Sequence, residues 1–543
     1  MKKSLKFVFS AALVAATAFA VSAADNKKAI EYYQSGFPEY AKSILLNNLK
    51  ESDTNKEEAY FALGEIYFSL DMPDSAAYYY KKGLEVNPTS VPNTIGRAKL
   101  QIKSNPKAAE EIFKSIVGGK NKKNPQYYTL IGRAYLDNGD LETAADYASK
   151  AKRADMKYAD AYLLQGDIHA AEKIAGKAAE QYEQAMYFDK GHRQGYIKYA
   201  RLYAAVNPEL AIEKLNKLLA LDAQSAIAYR ELAEVYYANG QFSKAEEAYE
   251  KFVSLDSFYS ETEMVRYASI LFYNKNFQKS AEIALEVLKN NPKNFVMRRL
   301  LMYDAVELEK YDLAKEYAES FMNEGGDAKY IYLDYVYYGR LMSNLGEKEK
   351  AYAQLEKALE IDPTKVDMYK ELGELYERDG DYINAIRQYQ NFIDKGEDKV
   401  TLSDFFTVGK LNYYAASDTA AVYAANKDNF IAAADSAFTM VVEKAPADNY
   451  LGHFWLARTN SLKDPESTLG LAKPHYEKVI EILEAAGRNQ NQLIEAYRYL
   501  GYYYYVTHRL AESISYWEKI LAIKPDDAVA KQALEGIKAE MNS

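Results

Sequence analysis

Ala59–Pro88 reads AYFALGEIYFSLDMPDSAAYYYKKGLEVNP. Its apolar and aromatic residues recur at offsets of three and four, the spacing of one face of a helix. Two small residues, Gly64 and Ala76, stand on either side of a break at Asp71-Met72-Pro73. The stretch reads as two short helices joined by a tight turn. The small residues would lie where the helices cross, so that the backbones approach closely.

The same arrangement recurs along the chain. A small residue returns at Gly96, Gly132, Gly166, Ala200, Ala233 and Ala268, and after the exception Met302 at Gly339, Gly373, Gly409, Ala457 and Gly501. A second small residue follows each, Ala76 after Gly64, Ala108 after Gly96, Ala385 after Gly373. Asn138-Gly139-Asp140, Asn239-Gly240 and Asp379-Gly380-Asp381 mark turns, with glycine in the left-handed conformation that ends a helix. Four residues beyond the second small position come Tyr80, Tyr182, Tyr249, Tyr389, Phe438, Tyr476 and Trp517. Rings at this spacing are packing residues, and they absorb part of an unusual total of 51 tyrosines.

This pattern resembles the tetratricopeptide repeat, a helix–turn–helix unit of about 34 residues. The resemblance is clearest over Ala59–Pro88, 366–393 and 494–525, and thirteen units are counted from Glu57 to Pro525. It implies an all-α fold, a right-handed superhelical solenoid. The expected organisation is a degenerate hairpin over 25–56, a regular array over 57–400, an array with insertions over 401–525, and a capping helix over 526–543. The insertions, Ala415–Lys427 above all, are expected to be surface loops, often placed on the binding face of a solenoid.

In this family the first helix of each unit lines the concave groove, and the residue after the first small position points into it. In six of the thirteen units that position is basic, Arg97, Arg133, Arg201, Arg340, Lys410 and Arg458; the others include Glu65, Asp167, Glu234 and Glu374, and the last is Tyr502. A free row of cations could hold the carboxylates of an extended acidic segment. The other reading pairs each arginine with a neighbouring acid, as Arg133 with Asp137 one helical turn on. Tyr413 and Tyr414, beside the insertion, complete the candidate binding residues.

Residues 1–24 read as an export signal: basic Lys2, Lys3 and Lys6, an uncharged apolar run from Phe7 to Ala20, and small residues before cleavage after Ala23 or Ala24. The expected location is the periplasm of a Gram-negative bacterium, with no membrane insertion of the mature chain. The absence of cysteine excludes disulfides, thiol catalysis and cysteine-bound zinc. A net charge of −10 argues against nucleic acid as a partner. No nucleotide-binding glycine loop, HExxH or GxSxG motif occurs, so no cofactor, metal or catalytic residue is assigned. The expected function is a non-catalytic scaffold that binds a protein or extended peptide, acidic if the stripe is free. The alternatives are a glycan binder using groove tyrosines and a hydrolase site near the C-terminal insertions.

Overall fold

The structure is a computed structural model and describes residues 26–256, 260–323, 329–487 and 489–541. The expected export signal lies outside the described residues. The described chain forms thirty α-helices and two short 3-10 turns, with no strand among them. Neighbouring helices pair off: Asn26–Gln34 with Pro38–Asn48, Lys56–Ser69 with Pro73–Val86, and so on to Gln490–Val506 with Leu510–Ile523, followed by a single helix Ala528–Met541. Counting from Lys56, these are thirteen helical repeats after one leading hairpin. They fall into two compact bodies, one up to Phe321 and one from Met322 onward.

The small positions are buried, and the backbones do approach there: a Cβ added at Gly132, Gly166 or Gly339 would stand 3.3, 3.2 or 3.3 Å from the carbonyl oxygen of Ala144, Ala178 or Ala351. The small positions also make room for rings. A Cβ added at Gly64 would stand 2.2 Å from Tyr80, and one at Gly96 would stand 2.3 Å from the same ring. Tyr80 therefore fills a notch shared by the first helices of two successive repeats. Gly166 faces Tyr182, Gly373 Tyr389, Gly409 Phe438 and Gly501 Trp517 in the same way. Close packing of this kind makes the glycine and the large ring mutually necessary. In the second repeat the buried small residue is Ala109 rather than Ala108, because six residues, not three, separate Lys99 from Pro106 and shift the register of the second helix.

Gly139, Gly240 and Gly380 have φ of +87°, +69° and +78°. The equivalent turn in other repeats is held by Asp71, Lys173, Lys275, Glu309 and His508, all with positive φ. Repeat packing here overrides the local preference for glycine.

The first insertion is not a loop. Its residues lengthen the two helices of the eleventh repeat, Leu402–Ser417 and Lys427–Lys444, and add a short helix, Ala421–Ala424. Tyr423 from this segment is buried. The second insertion is a compact turn between Leu451–Lys463 and Lys473–Ala486. Buried Asp464 organises it by accepting the backbone N–H groups of Thr468, Leu469 and Gly470 at 3.1, 3.0 and 2.8 Å.

Candidate protein-binding surfaces

The chemistry of the groove position is set by what its cations touch. Arg133 pairs with Asp167 at 2.6 Å, one repeat downstream. Arg201 binds Glu231 with two hydrogen bonds of 2.8 and 2.6 Å. Arg340 forks onto Glu371 at 2.6 and 2.7 Å, and Arg458 onto Glu495 at 2.7 and 2.6 Å. Four of the six expected cations thus belong to a ladder between neighbouring first helices. The suggested pairing of Arg133 with Asp137 is replaced. Asp137 is held by Lys99 at 2.6 Å, while Lys99 also holds Glu65 at 2.7 Å.

Tyrosine takes part in this ladder. Tyr80 donates its hydroxyl to Glu65 at 2.6 Å, Tyr182 to Asp167 at 2.9 Å and Tyr476 to Glu495 at 3.1 Å. The ring fills the glycine notch while the hydroxyl reaches a carboxylate, a pairing phenylalanine could not provide. Burial alone would raise the Asp167 carboxyl. Arg133 and Lys198, with the Tyr182 hydroxyl, instead hold it below the usual carboxylate range. Lys99 is buried too, yet Glu65 and Asp137 keep its ammonium above its ordinary value.

The leading hairpin closes over part of this groove. Tyr40 donates to buried Asp256 at 2.7 Å, Tyr32 donates to the same carboxylate, and Lys28 pairs with it at 3.0 Å. Arg193 pairs with Glu31 at 2.6 Å, and Gln194 donates to Ser35 at 2.8 Å. Arg201 also donates to the Ser35 carbonyl oxygen at 2.7 Å. The hairpin thus reaches the fifth and sixth repeats. Behind it lies a cavity of about 400 Å³ lined by Tyr33, Glu65, Arg133, Asp137, Asp160 and Lys198 among others.

Of the remaining expected residues, Arg97 is exposed and has no ion pair among the described residues. Lys410 likewise meets no carboxylate there, and its ammonium sits 5.8 Å from the Tyr414 ring centre. Tyr413 and Tyr414 are half-buried and meet Trp455 edge-on, at 5.2 and 5.9 Å. That edge-on packing is a core arrangement, not the open face on which a sugar stacks. Tyr502 is 41% exposed. It borders a shallow apolar hollow of about 340 Å³ with Tyr505, Val529 and Ile537.

A cluster of free cations lies outside the stripe. Val91–Asn124 carries eight basic residues against two acidic ones, on a chain of net charge −10. Along it a cleft of about 1040 Å³ runs between the second helices of the second and third repeats, Pro106–Ile116 and Leu141–Ala154. Tyr128, Tyr135 and Tyr147 line its depth, with the last two stacked at 5.6 Å. Lys114 and Lys150 at its rim are paired with Glu110 and Asp146. Lys122, Lys123 and Arg153 are exposed and unpaired among the described residues. The charge imbalance of Val91–Asn124 was legible in the sequence. That Lys122 and Lys123 line the same cleft as Arg153 was not.

Two family models, both described as tetratricopeptide repeat, match this chain. One matches residues 103–159, 129–192 and 201–260, and the other 57–90 and 335–365. The C-terminal part of a TPR repeat-containing protein from Cytophaga hutchinsonii, a solved structure, is 30% identical over 50% of this chain and 99% of its own length, with a TM-score of 0.39. The chain belongs to the tetratricopeptide-repeat family. Among curated proteins, a TPR repeat-containing protein of Methanocaldococcus jannaschii is 23% identical over 65% of this chain and 54% of its own length. Superkiller protein 3 of Schizosaccharomyces pombe is also 23% identical, over 42% of this chain and 17% of its own. The chain therefore spans about half of the first of these relatives and less than a fifth of the second. Tetratricopeptide-repeat proteins act as protein-interaction scaffolds.

Proposed function

We propose that this tetratricopeptide-repeat chain is a non-catalytic scaffold of the bacterial envelope that holds an acidic stretch of a partner protein. The basic, apolar and small-residue order of residues 1–24 supports the location. The contact surface is the tyrosine-lined cleft of the second and third repeats rather than the arginine stripe. One observation carries this choice. Four of the five stripe arginines are already bound to carboxylates of the same chain, whereas Lys122, Lys123 and Arg153 are exposed without one among the described residues and lie together on one cleft. An incoming acidic segment gains the attraction of unpaired cations there, and breaks no internal pair to do so.

The probe is a fluorescent peptide of eight glutamates, titrated with the whole chain. Binding should weaken steeply as salt rises, because exposed charges are screened within about 8–10 Å. The triple change Lys122→Glu, Lys123→Glu and Arg153→Glu should weaken binding at least tenfold and leave the melting temperature close to the parent's. Replacing Arg201 with Ala should instead lower the melting temperature, since it removes two hydrogen bonds from buried Glu231 and leaves it Arg230 alone. Peptide binding that ignores the triple change would defeat the assignment to the cleft. A preference for vesicles of anionic lipid over the peptide would defeat the protein-partner reading.

A further inference from the structure

The twelfth repeat joins its two helices, Leu451–Lys463 and Lys473–Ala486, through a pair of histidines. The Nδ1 atoms of His453 and His475 lie 3.4 Å apart. Their ring centres are 5.7 Å apart, about as far as two imidazoles can stand at that nitrogen separation. The two nitrogens therefore point directly at each other. That line is the geometry of a single N–H···N hydrogen bond. Two nitrogens on one tetrahedral zinc ion, each at about 2.0–2.1 Å, would be similarly spaced. Their lone pairs, however, would converge on a point off the line and draw the ring centres together. Among the described residues no third histidine or carboxylate completes a metal-binding group.

The charged groups around the pair are matched among themselves. Asp435, from Lys427–Lys444, is paired with Lys463 at 3.0 Å. Lys478 is paired with Glu481 at 2.6 Å. Leu402–Ser417 and Gln490–Val506 also pack on this repeat, and none of their charged groups acts on either imidazole. Each histidine has the other as its polar partner; Glu481 favours a charged His453 and Asp435 a charged His475, but burial outweighs both.

We propose that His453 and His475 form a proton-operated latch that holds the two helices of the twelfth repeat together when neutral and releases them when both rings are charged. In the closed state one ring carries its proton on Nδ1 and donates it to the Nδ1 lone pair of the other, which carries its own proton on Nε2. The first added proton goes to the free Nε2 of the donor ring, and the hydrogen bond survives, now charge-assisted. The second can enter only at the accepting Nδ1. It then sets two N–H donors and two positive charges face to face, and the contact is lost.

Burial lowers the affinity of both rings for protons, and for His453 the neighbouring imidazole lowers it further. The folded values lie below the unfolded value near 6.5, so the stabilisation is full above that pH and fades as pH falls through the folded values. The Asp464-centred turn between the helices does not depend on either ring, so the helices would part by hinging about it.

The test is the ring titration of the five histidines by NMR in the whole chain, with amide hydrogen exchange from about pH 7.5 to about pH 5. Two rings should titrate as a coupled pair below the ordinary histidine value. Exchange over 451–463 and 473–486 should rise at the acid end beyond the intrinsic chemical rate. The double change His453→Gln and His475→Gln should remove that acid-dependent rise. Independent titration of both rings at the ordinary value would overturn the latch, and that reading needs no variant. An unchanged acid response in the double variant would also overturn it. So would stoichiometric zinc binding abolished by either single change, which would make the pair a metal site.

Discussion

Asp304 lies on the helix Phe295–Glu307 with its side chain fully buried. Among the described residues neither carboxyl oxygen has a hydrogen-bond partner. The nearby Ser280 hydroxyl donates to the Ala268 carbonyl oxygen instead. Burial pushes the Asp304 carboxyl up to about 8, with Ser280 opposing the shift. The folded chain therefore keeps a proton there that the unfolded chain loses near pH 4. This contribution is full below that pH and is lost as pH rises toward 8, at up to about 1.4 kcal/mol per unit. Asp304→Asn removes the titration and keeps the shape. Its melting temperature should exceed the parent's by an amount that grows between pH 5 and pH 8. A difference that is the same at both ends would show that the carboxyl is not held protonated. The Tyr80 site, by contrast, satisfies every demand of a buried polar ring: the glycine notch accepts its carbons and Glu65 its hydroxyl.

At the scale of an element, the inserted segment of the eleventh repeat shows how extra length is stabilised. Tyr423 reaches back across about forty residues. Its hydroxyl donates to the Gly380 carbonyl oxygen and accepts from the Tyr382 amide, both at 3.0 Å. Tyr382 opens the helix Tyr382–Lys395, so its N–H is one of the four that a helix start leaves without an internal partner. The insertion supplies a cap to the repeat before it. Tyr423→Phe should keep the ring packing and lose both bonds, at a cost of about 1–3 kcal/mol. Hydrogen exchange at Tyr382 should quicken while the helices of the first three repeats stay unchanged. Unaltered protection at Tyr382 would mean that solvent or another group caps this helix.

Across the first body, the leading hairpin departs from the usual behaviour of a solenoid, in which each repeat touches only its neighbours. Asp256 gathers Tyr32, Tyr40 and Lys28 from a segment more than 200 residues away in sequence. Asp256→Ala leaves two tyrosine hydroxyls without their acceptor and deletes the ion pair. The hairpin should then open before the rest unfolds, with a loss of roughly 2–4 kcal/mol in its local stability. Limited proteolysis would show cleavage between the hairpin and the first repeat under conditions where the parent resists. A parent-like digestion pattern would show that the Arg193 and Gln194 contacts suffice to hold it. The closure also explains why groove cations are poor guides to a binding surface here: a tightly wound array meets its own side chains first.

Sequence alone determined the repeat, its helical pairs and the places of the small residues and rings. These depend on offsets of three, four and about twelve residues, and backbone geometry converts such offsets into one face of a helix or one crossing of a hairpin. It did not determine the partners of the arginines. Arg201 and Arg458 find acids 30 and 37 residues on, because the first helices of successive repeats lie side by side and a guanidinium can bridge them. Nor did it show that Tyr423 caps an earlier turn, that Asp256 fastens the leading hairpin, or that His453 faces His475. The Tyr423 and Asp256 contacts are set by how successive repeats are rotated and the histidine contact by how the two helices of one repeat cross; many packed side chains contribute to both, and no single motif encodes them.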